Sequence, residues 1–370
     1  MKVEIEKKLL LNLIGPTQNI VEKRNTMPIL VNILLEAEGT QLKVFATDLE
    51  VSLTDQVESQ VLQAGKVAVS AKKLFEITKE LREGPIRLIK KENNWLQIEQ
   101  GKYRSQLVGV SADEYPIFPS YSSQSFLKVD ASVLKEMIDK TIYSVSSDET
   151  RYHLNGVFFE ISQSNGFKMV ATDGHRLSLI SKTIDSGFPA PLVSQGVIIP
   201  RKGLNEIKKV LDASSGPVEI AIEGSQFILK SGRAVLMIRL IEGKYPNYQQ
   251  FIPTKLTQKI LINREAFLSS LKKVSMMANE KSKAVLLNVS KGRMEISSNN
   301  PELGDAKDEI EVEYSGHDLK IGFNARYIQD VLTAMNQENI DFEVNDHLSP
   351  GLVRPHNDTS YTCVVMPMRI

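Results

Sequence analysis

The sequence predicts an α+β chain of three similar domains, each with two helices packed on antiparallel sheets. Three observations carry this: internal repetition, length, and apolar periods that switch between helical and strand spacing. "MPILVNILLE" (27–36) matches "RYHLNGVFFE" (151–160), with a fainter echo, "SKAVLLNVS", from Ser282. "VFATDLEVSL" (44–53) matches "VATDGHRLSL" (170–179), with "MEISSNN" in third place. "VSAKKLFEITKEL" (69–81) matches "IPRKGLNEIKKVL" (199–211) and "FNARYIQDVLTAM" (323–335), and Tyr115-Pro116 recurs as Tyr245-Pro246. The offsets, roughly 120 to 130 residues, make each repeat one domain of ordinary size. A chain of 370 residues is also too long for a single core.

Taken in order, each repeat opens with a short strand and a helix. In "VDASVLKEMIDKTI", Asp130 is the expected N-cap, and Val133, Leu134, Met137 and Ile138 share one face. In "INREAFLSSLKKV", Asn263 caps, and Phe267, Leu268 and Leu271 form the stripe. The second helices carry Leu74, Ile77 and Leu81, then Leu204, Ile207 and Leu211, then Ile328, Val331 and Met335. Between the helices lie short apolar or alternating runs such as "GVFFEI", "KMVAT" and "VEIAIEG", which read as strands. The domains are expected at 1–124, 125–254 and 255–370. Lysines recur on the polar sides of the helices: Lys72, Lys73 and Lys79, Lys208 and Lys209, Lys272 and Lys273. One such cluster is an ordinary solvated face; its recurrence points to a shared basic environment.

Composition narrows the function classes. A hydrophobic fraction of 42% and a charged fraction of 24% are those of a soluble globular protein. One cysteine, Cys363, excludes an internal disulfide and suits a reducing cytoplasm. The N-terminal "MKVEIEKKLLLNLIGP" shows neither a signal peptide nor a membrane span. The 45 basic and 45 acidic side chains cancel, which by itself argues against nucleic acid but leaves room for a basic surface balanced by an acidic one.

No nucleotide-phosphate motif, no G-x-S-x-G and no metal-ligand spacing among the five histidines occurs, so no cofactor is expected. Asp173 and His175 could form an acid/base pair, which would make the chain a hydrolase. The first repeat argues against this. It keeps Thr47 and Asp48 at the matching place but has no Gly-His-Arg, so the shared Thr-Asp reads as turn chemistry.

"RYHLNGVFFE", "VATDGHRL", "IIPRKGLNEI", "GKYPNY", "NNPE", "IGFNARYIQDVL" and the terminal "VVMPMRI" together resemble the bacterial sliding clamps, the β subunits of DNA polymerase III, from Met1 to Ile370. The resemblance implies three clamp-type domains per chain and a head-to-tail homodimer closed into a ring around duplex DNA. Two helices, three repeats and two protomers would give twelve helices lining the channel. At roughly 10 Å per helix, that lining is about 120 Å around. Basic helix faces would then meet phosphates without reading sequence. Implied partners are double-stranded DNA, the replicative polymerase's catalytic subunit, an ATP-driven clamp loader, and other polymerases and mismatch-repair proteins, with no membrane. A repeat scaffold that binds linear peptides but no DNA is the alternative.

The resemblance also implies sites. A pocket for short linear peptides would be lined by Leu154, Thr172, Gly174, Leu177, Pro246, Val364, Met366 and Pro367, with walls from His175, Arg176, Asn324, Tyr327 and Met368. Glycine admits a close backbone, methionine adapts to varied apolar groups, and Arg151 and Arg176 could meet carbonyls or carboxylates at the rim. Gln250 and Phe251 stand at the entrance where many relatives have a basic residue and a small aliphatic one. Leu348 and Pro350 border it, and Arg369 completes the set. DNA contacts would come from Arg24, Lys72, Lys73, Tyr152, His153, Arg201, Lys202 and Lys209. The dimer contact would use Leu107, Met276 and Met277, with Ser105 where some relatives have an aromatic.

Overall fold

The computed structural model describes residues 1–21, 27–122, 126–162, 166–183, 196–214 and 216–369. Among them are six α-helices, two per repeat: α1 (Lys7–Ile14), α2 (Ala71–Glu80), α3 (Ala131–Asp139), α4 (Arg201–Ala213), α5 (Arg264–Ser275) and α6 (Ala325–Thr333). Their buried faces follow the apolar spacing. Leu134, Met137 and Ile138 are covered in α3, Leu204, Ile207 and Leu211 in α4, and Ile328 and Val331 in α6. Val133, Leu268 and Ile77, at the edges of their stripes, are only half-buried.

Side-chain caps set where several helices begin. The Asn263 side chain accepts from the Ala266 N–H at 3.0 Å, and the Asn324 side chain from the Arg326 N–H at 3.0 Å. Each satisfies one of the donors that a helix start leaves without an intrahelical partner.

The strands form three sheets. The five-stranded sheet runs Gln60–Gln63, Lys2–Glu6, Pro85–Lys90, Leu96–Gln100 and Tyr103–Leu107, so the last of these is an edge. The nine-stranded sheet crosses from the first repeat into the second where Val51–Glu58 pairs antiparallel with Ala234–Arg239. The twelve-stranded sheet crosses from the second into the third where Arg176–Thr183 pairs with Tyr361–Val365. The chain accordingly forms two compact units, Met1–Ala131 with Lys202–Leu240, and Ser132–Arg201 with Ile241–Ile370. The second repeat is shared between them, because each sheet runs on through a repeat boundary. Each seam between repeats therefore lies inside one unit.

At both seams the chain makes the same turn. Asp48 Oδ1 accepts from the N–H groups of Glu50 and Val51 at 2.9 and 2.7 Å; Asp173 Oδ1 accepts from those of His175 and Arg176 at 2.9 and 3.0 Å. Thr47 and Thr172 accept from the residue two ahead, at 3.0 and 3.1 Å. The turn forces a left-handed residue after the aspartate: φ is +76° at Leu49 and +90° at Gly174. The recurring Thr-Asp is turn chemistry, as its persistence in both repeats predicts.

Candidate functional site

The second seam gathers most of the residues singled out for a pocket. In register, Thr172 faces Leu177 and Leu177 faces Val364, while Leu352 covers Val364 from the next strand. Leu154, Leu177 and Val364 pack into one apolar cluster with Val170, Ile198, Tyr245 and Tyr248, and all seven are buried. Phe158, Leu179, Ile241 and Ile252 pack against it half-buried, and Phe158 stacks on Tyr245 with centroids 5.0 Å apart. This burial makes Leu154, Leu177 and Val364 a floor. Accessible apolar surface comes instead from Phe251, Leu348 and Met366, at 49%, 58% and 39% exposure. Pro246, Pro350, Pro367 and Met368 are half-buried, and Gln250 and Arg369 are exposed.

Two backbone bonds pin the C-terminal segment across the site. The Met366 N–H donates to the His175 carbonyl at 2.9 Å, and the Met368 N–H donates to the Gly322 carbonyl at 2.8 Å. Tyr245 serves the floor twice, through its ring and through its hydroxyl, which accepts from the Thr172 N–H at 3.1 Å. Burial raises the pKa of that hydroxyl. The Tyr248 hydroxyl is pushed up to about 12, first by burial and then by the Glu160 carboxylate it meets at 3.3 Å. Both hydroxyls stay neutral at physiological pH, Tyr245 accepting and Tyr248 donating.

Gly174 has a steric as well as a conformational reason. A Cβ there would lie 2.8 Å from Arg151 Nη1, and φ is already left-handed. Arg151 is held in place by Asp148 at 2.9 Å. Gly174→Ala is expected to destabilise the protein by on the order of 1 kcal/mol and to displace the Arg151 guanidinium. Thermal unfolding checks the first effect; a melting temperature equal to wild type would refute it.

Arg176 is the most heavily engaged residue of the turn. It is 9% exposed, its Nε lies 3.1 Å from Asp173, its Nη1 lies 2.6 Å from Asp330, and its Nη2 donates to the Tyr143 carbonyl at 2.6 Å. The guanidinium also lies over the Tyr327 ring at 4.6 Å and the Tyr143 ring at 5.3 Å. His175 is exposed and stacks on Tyr327 with centroids 6.3 Å apart. Asn324 spends its side chain capping α6. Beneath Arg176, the Tyr143 hydroxyl meets those of Tyr361 and Ser178 at 2.7 and 2.6 Å, and Cys363 Sγ at 3.3 Å. Burial pushes the Cys363 thiol up, so it is a packed group and not a nucleophile.

This geometry leaves the acid/base pair without a free partner. One oxygen of Asp173 accepts two turn N–H groups, and the other holds Arg176. Tyr143, Asp330 and Tyr361, which hold Arg176 or the hydroxyl cluster beneath it, were absent from the sequence-predicted set, as were Phe158 and Tyr248. The motifs had named Leu154, Leu177 and Val364 of the floor, and the recurrence of Tyr115 as Tyr245 was a signal for the ring that packs with them.

The residues expected at DNA are less uniform. Arg24 lies outside the described residues. Lys72 and Lys73 are exposed and share Glu76, at 3.7 and 2.8 Å. Lys209 is exposed beside Glu206 at 2.7 Å. Tyr152 is exposed and meets His153 edge to face. Lys202 reaches the buried carboxylate of Asp48 at 2.6 Å. Arg201 donates to the Val145 carbonyl, and its pKa is lowered by burial first and then by the charge of Arg176. Of the dimer candidates, Met276 is 74% exposed, Leu107 lies on the edge strand, and Met277 is half-buried.

Three family models match in chain order: the N-terminal domain of the DNA polymerase III beta subunit at residues 1–119, the central domain at 128–247 and the C-terminal domain at 249–369. The chain belongs to the beta sliding clamp family. A beta sliding clamp of Caulobacter vibrioides is 35% identical over 378 residues, covering 100% of both chains. A crystal structure of the DNA polymerase III subunit beta from Pseudomonas aeruginosa matches with a TM-score of 0.95 at 32% identity, covering 100% of both chains. A sliding clamp of Bartonella birtlesii bound to griselimycin matches at 0.94 and 32%, again over 100% of both chains. As a sliding clamp the chain is a non-catalytic accessory subunit of DNA polymerase III, a processivity factor of replication. That excludes the hydrolase reading. No helix among the described residues is long and apolar enough to cross a membrane.

Proposed function

We propose that this chain closes as a head-to-tail homodimer into a ring around duplex DNA. The ring slides without reading sequence and tethers the replicative polymerase by a short apolar segment docked at the second seam. The domains are taken as 1–124, 125–254 and 255–370. The observation that supports the tether most directly is the C-terminal segment, bonded at Met366 to the His175 carbonyl and at Met368 to the Gly322 carbonyl. Those bonds present Met366 beside an apolar floor. Phe251 and Leu348 widen the accessible surface, and Arg151 stands at the rim for a peptide carbonyl or carboxylate.

Exposed Lys72, Lys73 and Lys209 supply sequence-independent attraction for phosphates, with Tyr152 and His153 as further contacts. Lys202 and Arg201 contribute less directly, because their charges are engaged by Asp48 and by the Val145 carbonyl. The dimer contact joins the open edge at Tyr103–Leu107 to the end of α5, where Met276 stands exposed. An edge strand left unpaired in the protomer is a ready template for such pairing. Loading needs an ATP-driven loader, and other polymerases and mismatch-repair proteins compete for the same seam, all in the cytoplasm.

The decisive test is topological. The protein, loaded onto nicked circular plasmid by the loader complex of the same genome, is expected to co-elute with the circle through 0.2 M salt (roughly the range in which simple phosphate contacts weaken). Linearising the plasmid is expected to release it. Equal retention on both forms would refute encirclement.

A further inference from the structure

The two seams share a backbone plan and differ in how helix and turn are tied together. At the first, the Arg239 N–H donates to the Glu50 carbonyl at 2.8 Å; at the second, the Met366 N–H donates to the His175 carbonyl at 2.9 Å. Aligning α4 with α6 places Glu206 at the position of Asp330 and Gly203 at that of Tyr327; aligning the turns places Val51 at that of Arg176.

At the first seam, therefore, no arginine leaves the turn. A Cβ at Gly203 would overlap Ile238 Cγ2, so α4 rests directly on the outgoing strand. The ion pair there runs the opposite way, from Lys202 on the helix to Asp48 on the turn. At the second seam Tyr327 stands in the glycine's place, and the Arg176 guanidinium lies over its ring while reaching Asp330 one turn further along α6.

Asp330 is not one of the apolar residues of the docking floor. It opens on its other side to a cleft of about 540 Å³ between α3 and α6, lined by Lys135, Glu136, Asp139, Lys140, Tyr143 and Thr333 among others. A continuous chain of contacts thus runs from this helix-side cleft through Asp330 and Arg176 to the Gly174–His175 turn, and from the His175 carbonyl to Met366.

We propose that Asp330 is a positioning residue for peptide docking: through Arg176 it fixes the turn that holds Met366 over the apolar floor. The inference rests on the docking reading above. A charge-assisted bond to a guanidinium with two other fixed partners leaves Arg176 one place to sit. Without it, the arginine keeps Asp173 and the turn gains freedom.

Fluorescence anisotropy with a fluorescein-labelled peptide of the polymerase's C-terminal tail provides the test. Asp330→Asn is expected to weaken binding about five- to tenfold, within the usual span of coupling between sites. Asp330→Glu is expected to recover part of the loss, and Glu206→Gln, the matching position at the first seam, to bind like wild type. In an Arg176→Gln background, Asp330→Asn is expected to cost nothing further, a non-additivity that a general loss of stability would not produce.

Binding by Asp330→Asn within twofold of wild type would overturn the proposal, as would an undiminished loss in the Arg176→Gln background. Should Asp330→Asn fold poorly, the Arg176 Nε–H resonance of Asp330→Glu gives a second readout. An unchanged resonance together with weakened binding would count against it. Failure of wild type to bind the peptide at all would overturn the docking reading itself, a separate outcome.

Discussion

Leu177→Ala is expected to weaken binding of a polymerase-tail peptide tenfold or more, about 1.4 kcal/mol, and to lower folding stability by on the order of 3 kcal/mol. Leu177 is 3% exposed and sits between Thr172 and Val364 in register, at the centre of the floor. Truncation opens a cavity beneath Met366, so an incoming apolar side chain loses both a contact and a rigid base. Leu134→Ala is the control, an equally buried leucine on α3. It should cost comparable stability and leave binding alone. Thermal unfolding and anisotropy separate the two effects; equal peptide affinity for the two variants would remove the floor from the docking site.

Arg176→Ala is expected to destabilise the protein by about 3 kcal/mol, the scale for removing one partner from a largely buried ion pair, and to weaken peptide binding about tenfold, a loss still within the measurable range. The loss strands three acceptors at once: Asp330, the second oxygen of Asp173 and the Tyr143 carbonyl. Arg176→Lys should rescue little, since one ammonium cannot serve three divergent acceptors or lie flat on Tyr327. Differential scanning calorimetry is the suitable probe, because Trp95, the chain's one tryptophan, lies in the other compact unit. A calorimetric midpoint within a degree of wild type would contradict this account of Arg176.

The helix faces were legible in the sequence because helical packing has a local period. Leu204, Ile207 and Leu211 are buried together for that reason, and Asn263 caps α5 because a cap needs only its neighbours. The Thr-Asp turn was legible because it closes on residues two and three ahead. Two partners of Arg176 were not. Tyr143 lies 33 residues before it and Asp330 154 residues after, and no local pattern links them. Asn324 shows both kinds of reading: its cap of α6 closes on a residue two ahead, whereas its place at a pocket wall follows from the motif alone.

The amino-acid order alone determined three repeats, two helices in each, a shared turn and membership in the clamp lineage, all properties of short segments compared with one another. Only the tertiary structure decided that the sheets run on through the repeat boundaries, and that Arg176 meets Tyr143 and Asp330 at the second seam. Those outcomes depend on which side chains meet across a seam. Ion pairing, stacking and burial act over a few ångströms of space, whatever the distance along the chain.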